Sequence, residues 1–373
     1  MNGVLSSQRP PDLEREIALD GLYVVPPFAE AHNHNVEPGD NIDAVLKRTL
    51  DAGIFYVKNP NNVPGARDAL AGKINAPALI DAVFANGGLT ASGGHPIPIA
   101  DRGLKRTGSP VWQEGGFYHV IDTETDLAQK WGNILAGRPD FIKVMLLHSE
   151  EYARRKGDAA FFGWKGLDPA LVPRIAARAH AAGLRVSAHV ETAADFRAAL
   201  AAGVDEINHT PGFRPDRGDR RAYDGTRYRI AEEDAAQAAR SKTVVVTTLV
   251  AAISRIAAPQ PGEHADEART AITHNLRLLR EHGVHIAIGS DSYEQTARDE
   301  ALALASLNLF DNLSLLKIWC EATPVAIFPG RKIGALREGF EASFVALKGY
   351  PLQDFSQIAH IAARVKQGVA LSP

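Results

Sequence analysis

Helix-like stretches in this chain repeatedly end in a small residue and a glycine, and an apolar run follows at once. Four copies stand out: Asp51-Ala52-Gly53-Ile54, Ala181-Ala182-Gly183-Leu184, Ala201-Ala202-Gly203-Val204 and Glu281-His282-Gly283-Val284. Glycine suits the left-handed position that closes a helix. A strand that begins immediately afterwards is the short helix-to-strand connection of a parallel sheet. Helix starts agree with this. Asp168-Pro169 reads as an N-cap with proline at the first helical position, and Thr192-Ala193-Ala194-Asp195 reads as a capping-box start to a helix running to Ala202.

Eight apolar runs of strand length recur: 22–28, 54–58, 78–85, 141–147, 185–190, 206–209, 243–249 and 285–290. Most are continuously apolar rather than alternating, as strands buried on both faces are. Eight such runs separated by helical patterns predict an α/β chain, a (β/α)8 TIM barrel of ordinary size. A doubly wound open sheet is the runner-up, but no Gly-x-Gly-x-x-Gly follows the first run to support a dinucleotide fold. After Gly334 the pattern changes: 342–347 and 361–369 are short β-like segments with no helix between them. They predict a small, reduced β-sandwich formed by the chain termini, with an N-terminal partner in residues 1–20. The expected division is a barrel over 26–334 and an accessory β domain from 1–25 plus 335–373.

Composition narrows the function classes. The 373 residues carry 41 Lys+Arg against 44 Asp+Glu, a net charge of −3, so no basic excess drives binding to a phosphate backbone. Apolar residues make up 45% and charged ones 23%, which excludes a disordered chain, a collagen-like repeat and a long coiled coil. A single cysteine, Cys320, rules out an intramolecular disulfide and a Cys-rich zinc module. The sequence has no run of 18 apolar residues, and the N-terminus has no apolar core of a signal peptide; the expectation is a cytoplasmic protein without a membrane partner.

In a barrel the chemistry sits at the C-terminal ends of the strands. The first run leads into His32-Asn33-His34, and i, i+2 positions of an extended chain point to one side. The fourth contains Lys143 among apolar neighbours, where a charge is costly to bury. The fifth and sixth end at His189 and His209, each six residues after its helix-closing glycine, a phase that predicts equal heights on adjacent strands. The eighth ends in Asp291. Each residue alone has an ordinary explanation, such as a satisfied core histidine or, for Asp291, a helix N-cap. Together, four imidazoles and a carboxylate at predicted strand ends suit zinc or another borderline divalent ion.

Loops add two hints. The segment after His209 holds Arg214, Arg217, Arg220, Arg221, Arg227 and Arg229 against Asp216, Asp219 and Asp224. Such a surplus either grips a substrate carboxylate or forms a solvated surface. Phe161, Phe162 and Trp164 either wall a pocket or pack the loop onto the barrel.

The segments GLYVVPPFAEAHNH, FIKVML, RVSAHVET, VDEINH, AIGSDS and ATPVAIFPGRKIGALREGFEASFVAL resemble the amidohydrolase superfamily of metal-dependent hydrolases on a (β/α)8 barrel. GGLTASGGHPIP and FIKVM are most similar to its prolidase- and imidazolonepropionase-related branch, especially the carboxylated-lysine dipeptidases. The resemblance implies two divalent metal ions, zinc first among them. His32, His34 and Asp291 would hold one, and His189 and His209 the other. Lys143, carboxylated by CO2 to a carbamate, would bridge them. Asp291 would also carry the proton from water to the leaving nitrogen, while His95 and Tyr228 are candidates for gripping the substrate or its oxyanion. The implied reaction is hydrolysis of an amide or peptide C–N bond in a small molecule, a dipeptide or N-acyl amino acid; a homo-oligomer stays open.

Three departures mark the chain. The usual Asp before His-x-His is replaced, giving Glu30-Ala31-His32; the usual Pro-Gly is Pro26-Pro27; and the N-terminal half of the β-sandwich is nearly absent. The alternatives are a mononuclear deaminase or cyclic-amidine hydrolase of the imidazolonepropionase type, a lactonase- or phosphotriesterase-like activity, and a catalytically silent binding relative. Mononuclear relatives lack the lysine and place an acid three residues beyond the strand-5 histidine. Here the acid is Glu191, two beyond His189.

Overall fold

The structure, a computed structural model, describes residues 3–9, 15–212, 224–258 and 264–372. In chain order its strands are β1 (Tyr23–Val25), β2 (Phe28–Glu30), β3 (Ile54–Asn59), β4 (Asp81–Phe84), β5 (Gly88–Thr90), β6 (Tyr118–Val120) and β7 (Phe141–Met145). There follow β8 (Arg185–His189), β9 (Glu206–Asn208), β10 (Val244–Val246), β11 (Ile286–Ala287), β12 (Phe344–Leu347), β13 (Ile361–Lys366) and β14 (Val369–Ala370). The chain divides into two compact units, one of Met1–Lys58, Leu70–Ala82 and Ala287–Pro373, the other of Asn59–Ala69 and Val83–Ile286.

The second unit is built on a sheet ordered β11-β10-β9-β8-β7-β5-β6. β7 pairs β8 in parallel from Phe141↔Arg185 to Met145↔His189, and β8 pairs β9 from Ser187↔Glu206 to His189↔Asn208. Parallel neighbours cannot be joined by a tight hairpin, and helices Val172–Ala181, Ala193–Ala201 and Glu232–Ser241 supply the crossovers from β7 to β8, β8 to β9 and β9 to β10. Gly183 and Gly203 sit at φ +73 with nothing near an added Cβ, so conformation alone requires glycine there. The Thr192–Asp195 capping box is present with both of its hydrogen bonds. Asp168-Pro169 differs from expectation. The helix begins at Val172, and Asp168 closes a turn before it by accepting from the Ala170 N–H at 2.9 Å.

The first unit carries an antiparallel sheet ordered β1-β12-β13-β14, with Tyr23↔Leu347 and Val25↔Val345 in register. Its N-terminal strand is therefore 23–25 rather than a segment within 1–20, where only Val4 bridges to Glu341 among the described residues. The expected first strand, 22–28, splits in two: β1 joins this sheet and β2 joins the parallel set β2-β3-β4. Pro26 and Pro27 are the reason, because neither has an N–H to donate to a ladder. Fully buried Lys366 pairs with Asp81 at 3.1 Å, and Arg331 pairs with the same carboxylate at 2.8 Å, fixing β13 to the start of β4.

Two parallel strands escaped the sequence reading. β5 and β6 have three residues each, and one contains Gly88 and the other His119 at its centre. Among the described residues no helix is long and apolar enough to cross a membrane.

Candidate metal centre

In the first unit, β2 ends between two neighbours. Ala31 N–H donates to Ile288 O at 2.9 Å, Asn33 N–H to Lys58 O at 3.0 Å, and Asp291 N–H to His32 O at 2.9 Å. This knits the His-x-His segment to the one carrying Asp291. His32 Nε2 and His34 Nε2 lie 3.3 Å apart, and Asp291 Oδ1 lies 3.4 Å from the first and 3.2 Å from the second. These three atoms form a nearly equilateral triangle. The point in their plane equidistant from them is about 1.9 Å from each (a side of roughly 3.3 Å over √3), and a point slightly out of the plane reaches the ~2.0–2.1 Å of a zinc–nitrogen bond. Asp291 has φ +48, a left-handed conformation that a non-glycine residue keeps only where its surroundings hold it. Glu30, 1% exposed, accepts from the Ser290 and Ala297 N–H groups at 2.7 and 2.5 Å and from Ser290 Oγ at 3.1 Å. Burial pushes its pKa up to about 8 despite these bonds. The Tyr293 ring stacks on His34 at 5.5 Å and is 56% exposed.

In the second unit, His189 closes β8 in register with Asn208, the last residue of β9, so His209 lies one residue past that strand's end. The equal heights expected from the glycine phase do not hold, and continued extension would send His209 to the opposite face. A φ of +78 at His209 breaks that alternation, and its ring meets His189 edge-to-face at 4.4 Å between centroids. Thr248, itself at φ +52, hydrogen-bonds His209 Nδ1 at 2.6 Å, which leaves Nε2 as the ring's other donor atom.

Lys143 lies in the middle of β7, not at its end, and its register partner Ser187 is one layer below His189. Its Nζ donates to Asn208 Oδ1; Asn208 Nδ2 in turn donates to Glu206 Oε1 at 2.6 Å, and Ser187 Oγ donates to the same carboxylate at 2.9 Å. Glu191 Oε1 lies 3.3 Å from His189 Nε2. Asp195, fully buried, accepts from the N–H groups of His148, Ser149, Glu191 and Thr192 at 2.7–3.0 Å. One carboxylate thus ties the loops after β7 and β8 together.

His95 lies with its ring 4.8 Å from that of His189. Its loop requires Gly94, since a Cβ there would meet Thr90 Oγ1 at 2.5 Å and Lys165 O at 2.8 Å. Tyr228 is buried, and burial together with the charge of Glu191 pushes its hydroxyl up to about 12, so it stays a neutral donor. Arg227 is committed to Glu150 at 2.6 Å and Glu151 at 3.3 Å. Burial raises the Glu150 pKa, but hydrogen bonds from His148 and Arg227 outweigh it and hold the value near 2. Arg227 therefore brings no surplus positive charge. Arg214, Arg217, Arg220 and Arg221, with Asp216 and Asp219, lie outside the described residues. Phe161 packs under the guanidinium groups of Arg154 and Arg155 at 4.9 and 4.7 Å, and Phe162 is exposed.

No protein-family model and no curated protein matches the chain. Solved structures do. A Xaa-Pro dipeptidase with methionine bound in its active site superposes with a TM-score of 0.74 at 18% identity, over 100% of this chain and 94% of that one. An amidohydrolase gives 0.75 at 19% identity, over 100% and 92% of the two chains. A prolidase complexed with N-methylphosphonate-L-proline gives 0.68 at 20%, over 98% and 91%. The chain shares the fold of these structures. The donors present would suit a metal ion. The first unit offers two imidazole nitrogens and a carboxylate oxygen at ion-binding spacing. The second offers a pair of imidazoles in contact, one of them oriented by a hydroxyl.

Proposed function

We propose that this protein is a metal-dependent amidohydrolase that cleaves an amide or peptide C–N bond in a dipeptide or N-acyl amino acid. On this reading 26–334 closes as a (β/α)8 barrel, with 1–25 and 335–373 as its accessory β domain. His32, His34 and Asp291 would hold one divalent ion and His189 and His209 a second, with carboxylated Lys143 as a further ligand. When bound, the ions supply Lewis acidity, toward water and toward the scissile carbonyl. Asp291 takes the proton of the attacking water and returns it to the leaving nitrogen. His95 and the neutral Tyr228 hydroxyl donate to the substrate carbonyl oxygen as negative charge develops there. The reaction yields a carboxylic acid and an amine.

The observation that carries this reading is the 3.2–3.4 Å triangle of His32, His34 and Asp291 donor atoms. Three such atoms at mutual hydrogen-bond distance suit a shared cation better than one another. The names of the superposed structures, a Xaa-Pro dipeptidase and a prolidase among them, support a C–N bond as the target. The test is to load the purified protein with Zn2+, count metal per chain, and assay a panel of dipeptides, N-acyl amino acids and lactones. About two equivalents and turnover of dipeptides or N-acyl amino acids support the proposal. One equivalent with deamination favours the mononuclear alternative, lactone turnover alone favours the ester reading, and a metal-loaded protein inert to the whole panel refutes an enzymatic role.

A further inference from the structure

We propose that Glu30 is the residue that positions Asp291, holding it in its left-handed conformation with the carboxylate at the His32–His34 pair. This rests on the reading of Asp291 as a ligand and proton carrier. The residue itself stands where the resembling sequences carry an aspartate, and the structure gives the longer side chain a distinct job.

Four observations converge on it. Glu30 ends β2, two residues before His32, and is 1% exposed. One of its carboxylate oxygens accepts from the Ser290 N–H at 2.7 Å, directly before Asp291. The other accepts from Ser290 Oγ at 3.1 Å and from the Ala297 N–H at 2.5 Å, the first residue of helix Ala297–Ser306. The two anchors therefore bracket Ser290–Ala297, the stretch that contains Asp291 and Tyr293. The Ala297 N–H is one of the donors that a helix N-terminus leaves without an intrahelical partner, and the Glu30 oxygen satisfies it.

Strain makes the anchoring necessary. At φ +48, Asp291 occupies a conformation that costs an ordinary residue free energy and persists only where flanking contacts over-determine it. Those contacts include Glu30 on Ser290, before it, and the Asp291 N–H on His32 O at 2.9 Å. An aspartate at position 30 is one methylene shorter and cannot span both anchors without moving the strand end. A glutamine keeps one acceptor but turns an NH2 group toward an N–H donor. Both changes leave the fold's apolar core untouched and loosen the segment that aims Asp291.

The experiment measures Zn2+ affinity by chelator competition for the wild type, Glu30→Gln, Glu30→Asp, Asp291→Asn and the double variant Glu30→Gln/Asp291→Asn. A group that orients a ligand supports metal affinity by roughly 10–100-fold, so Glu30→Gln and Glu30→Asp are each expected to lose about that much at one site. Because Glu30 acts through Asp291, the double variant is expected to bind no more weakly than Asp291→Asn alone. Additive losses, or wild-type affinity in Glu30→Gln, overturn the proposal. Wild-type protein that binds no Zn2+ overturns the metal reading itself, which separates the two failures. If Glu30→Gln does not fold, Ser290→Ala removes one of the three bonds and is expected to weaken Zn2+ a few-fold; unchanged affinity there counts against the role.

Discussion

Replacing Asp291 with asparagine separates two roles that one carboxylate is assigned. Its Oδ1 is a corner of the donor triangle, 3.2 and 3.4 Å from the two imidazole nitrogens, so the amide removes a negative charge from the centre of the candidate cation site. Loss of that charge weakens metal binding, and excess Zn2+ compensates by mass action. Proton transfer has no such remedy. A positioned acid–base group contributes about 10²–10⁴ in rate, or about 2.7–5.4 kcal/mol at 1.36 kcal/mol per factor of ten. The assay is steady-state hydrolysis of the best substrate against a Zn2+ titration, with metal content measured at each point. Asp291→Asn is expected to regain metal as Zn2+ rises while kcat stays at least 100-fold below wild type. Recovery of kcat to within tenfold of wild type at full occupancy would refute the proton-carrier role and leave Asp291 a ligand only.

Three further outcomes follow from the geometry. Lys143→Met is expected to leave about one metal equivalent per chain, and ¹³C NMR of wild type in labelled bicarbonate is expected to show a carbamate signal absent from the variant. Thr248→Val keeps side-chain shape but removes the 2.6 Å partner of His209 Nδ1, and is expected to lower metal affinity roughly 10–100-fold in chelator competition with the thermal midpoint of the metal-free protein little changed. Burial holds the His119 pKa down at about 4, against an ordinary value of 6.5, with Glu114 opposing the shift. The unfolded chain therefore binds a proton that the folded one does not between these values, and stability falls as pH drops from 6.5 to 4. Thermal melts across that window are expected to flatten in His119→Gln.

The sequence carried the repeating strand–helix plan because its signals are local. A glycine at φ +73 after a helix and a Thr–Asp capping box each record backbone geometry within a few residues. Strands of three residues with a glycine or a histidine inside, such as β5 and β6, offer too few side chains for any period to register. The break at Pro26-Pro27 was written in the sequence, yet the apolar character of 22–28 outweighed it in a reading based on hydropathy.

The candidate site divides the same way. The sequence drew attention to His32, His34, Lys143, His189, His209 and Asp291 because histidines and a lone lysine in apolar runs are conspicuous. It could not see the backbone that aims them. Left-handed φ values at His209, Thr248 and Asp291 are set by partners distant in the chain, and Glu30 meets Ser290 across 260 positions. Thr248 is a polar residue of ordinary appearance and Asp195 reads in sequence only as a helix cap; three-dimensional contacts reveal both as anchors. Arg227 shows the converse error: a charge counted as surplus in sequence is neutralised by Glu150 and Glu151.

Crystals of the Zn2+-loaded protein, with anomalous data collected on both sides of the zinc edge, test the central claim most directly. Two peaks are expected, one bonded by His32, His34 and Asp291 and the other by His189 and His209, with added density on Lys143 Nζ. A map without a peak among His32, His34 and Asp291 would contradict the account at its root.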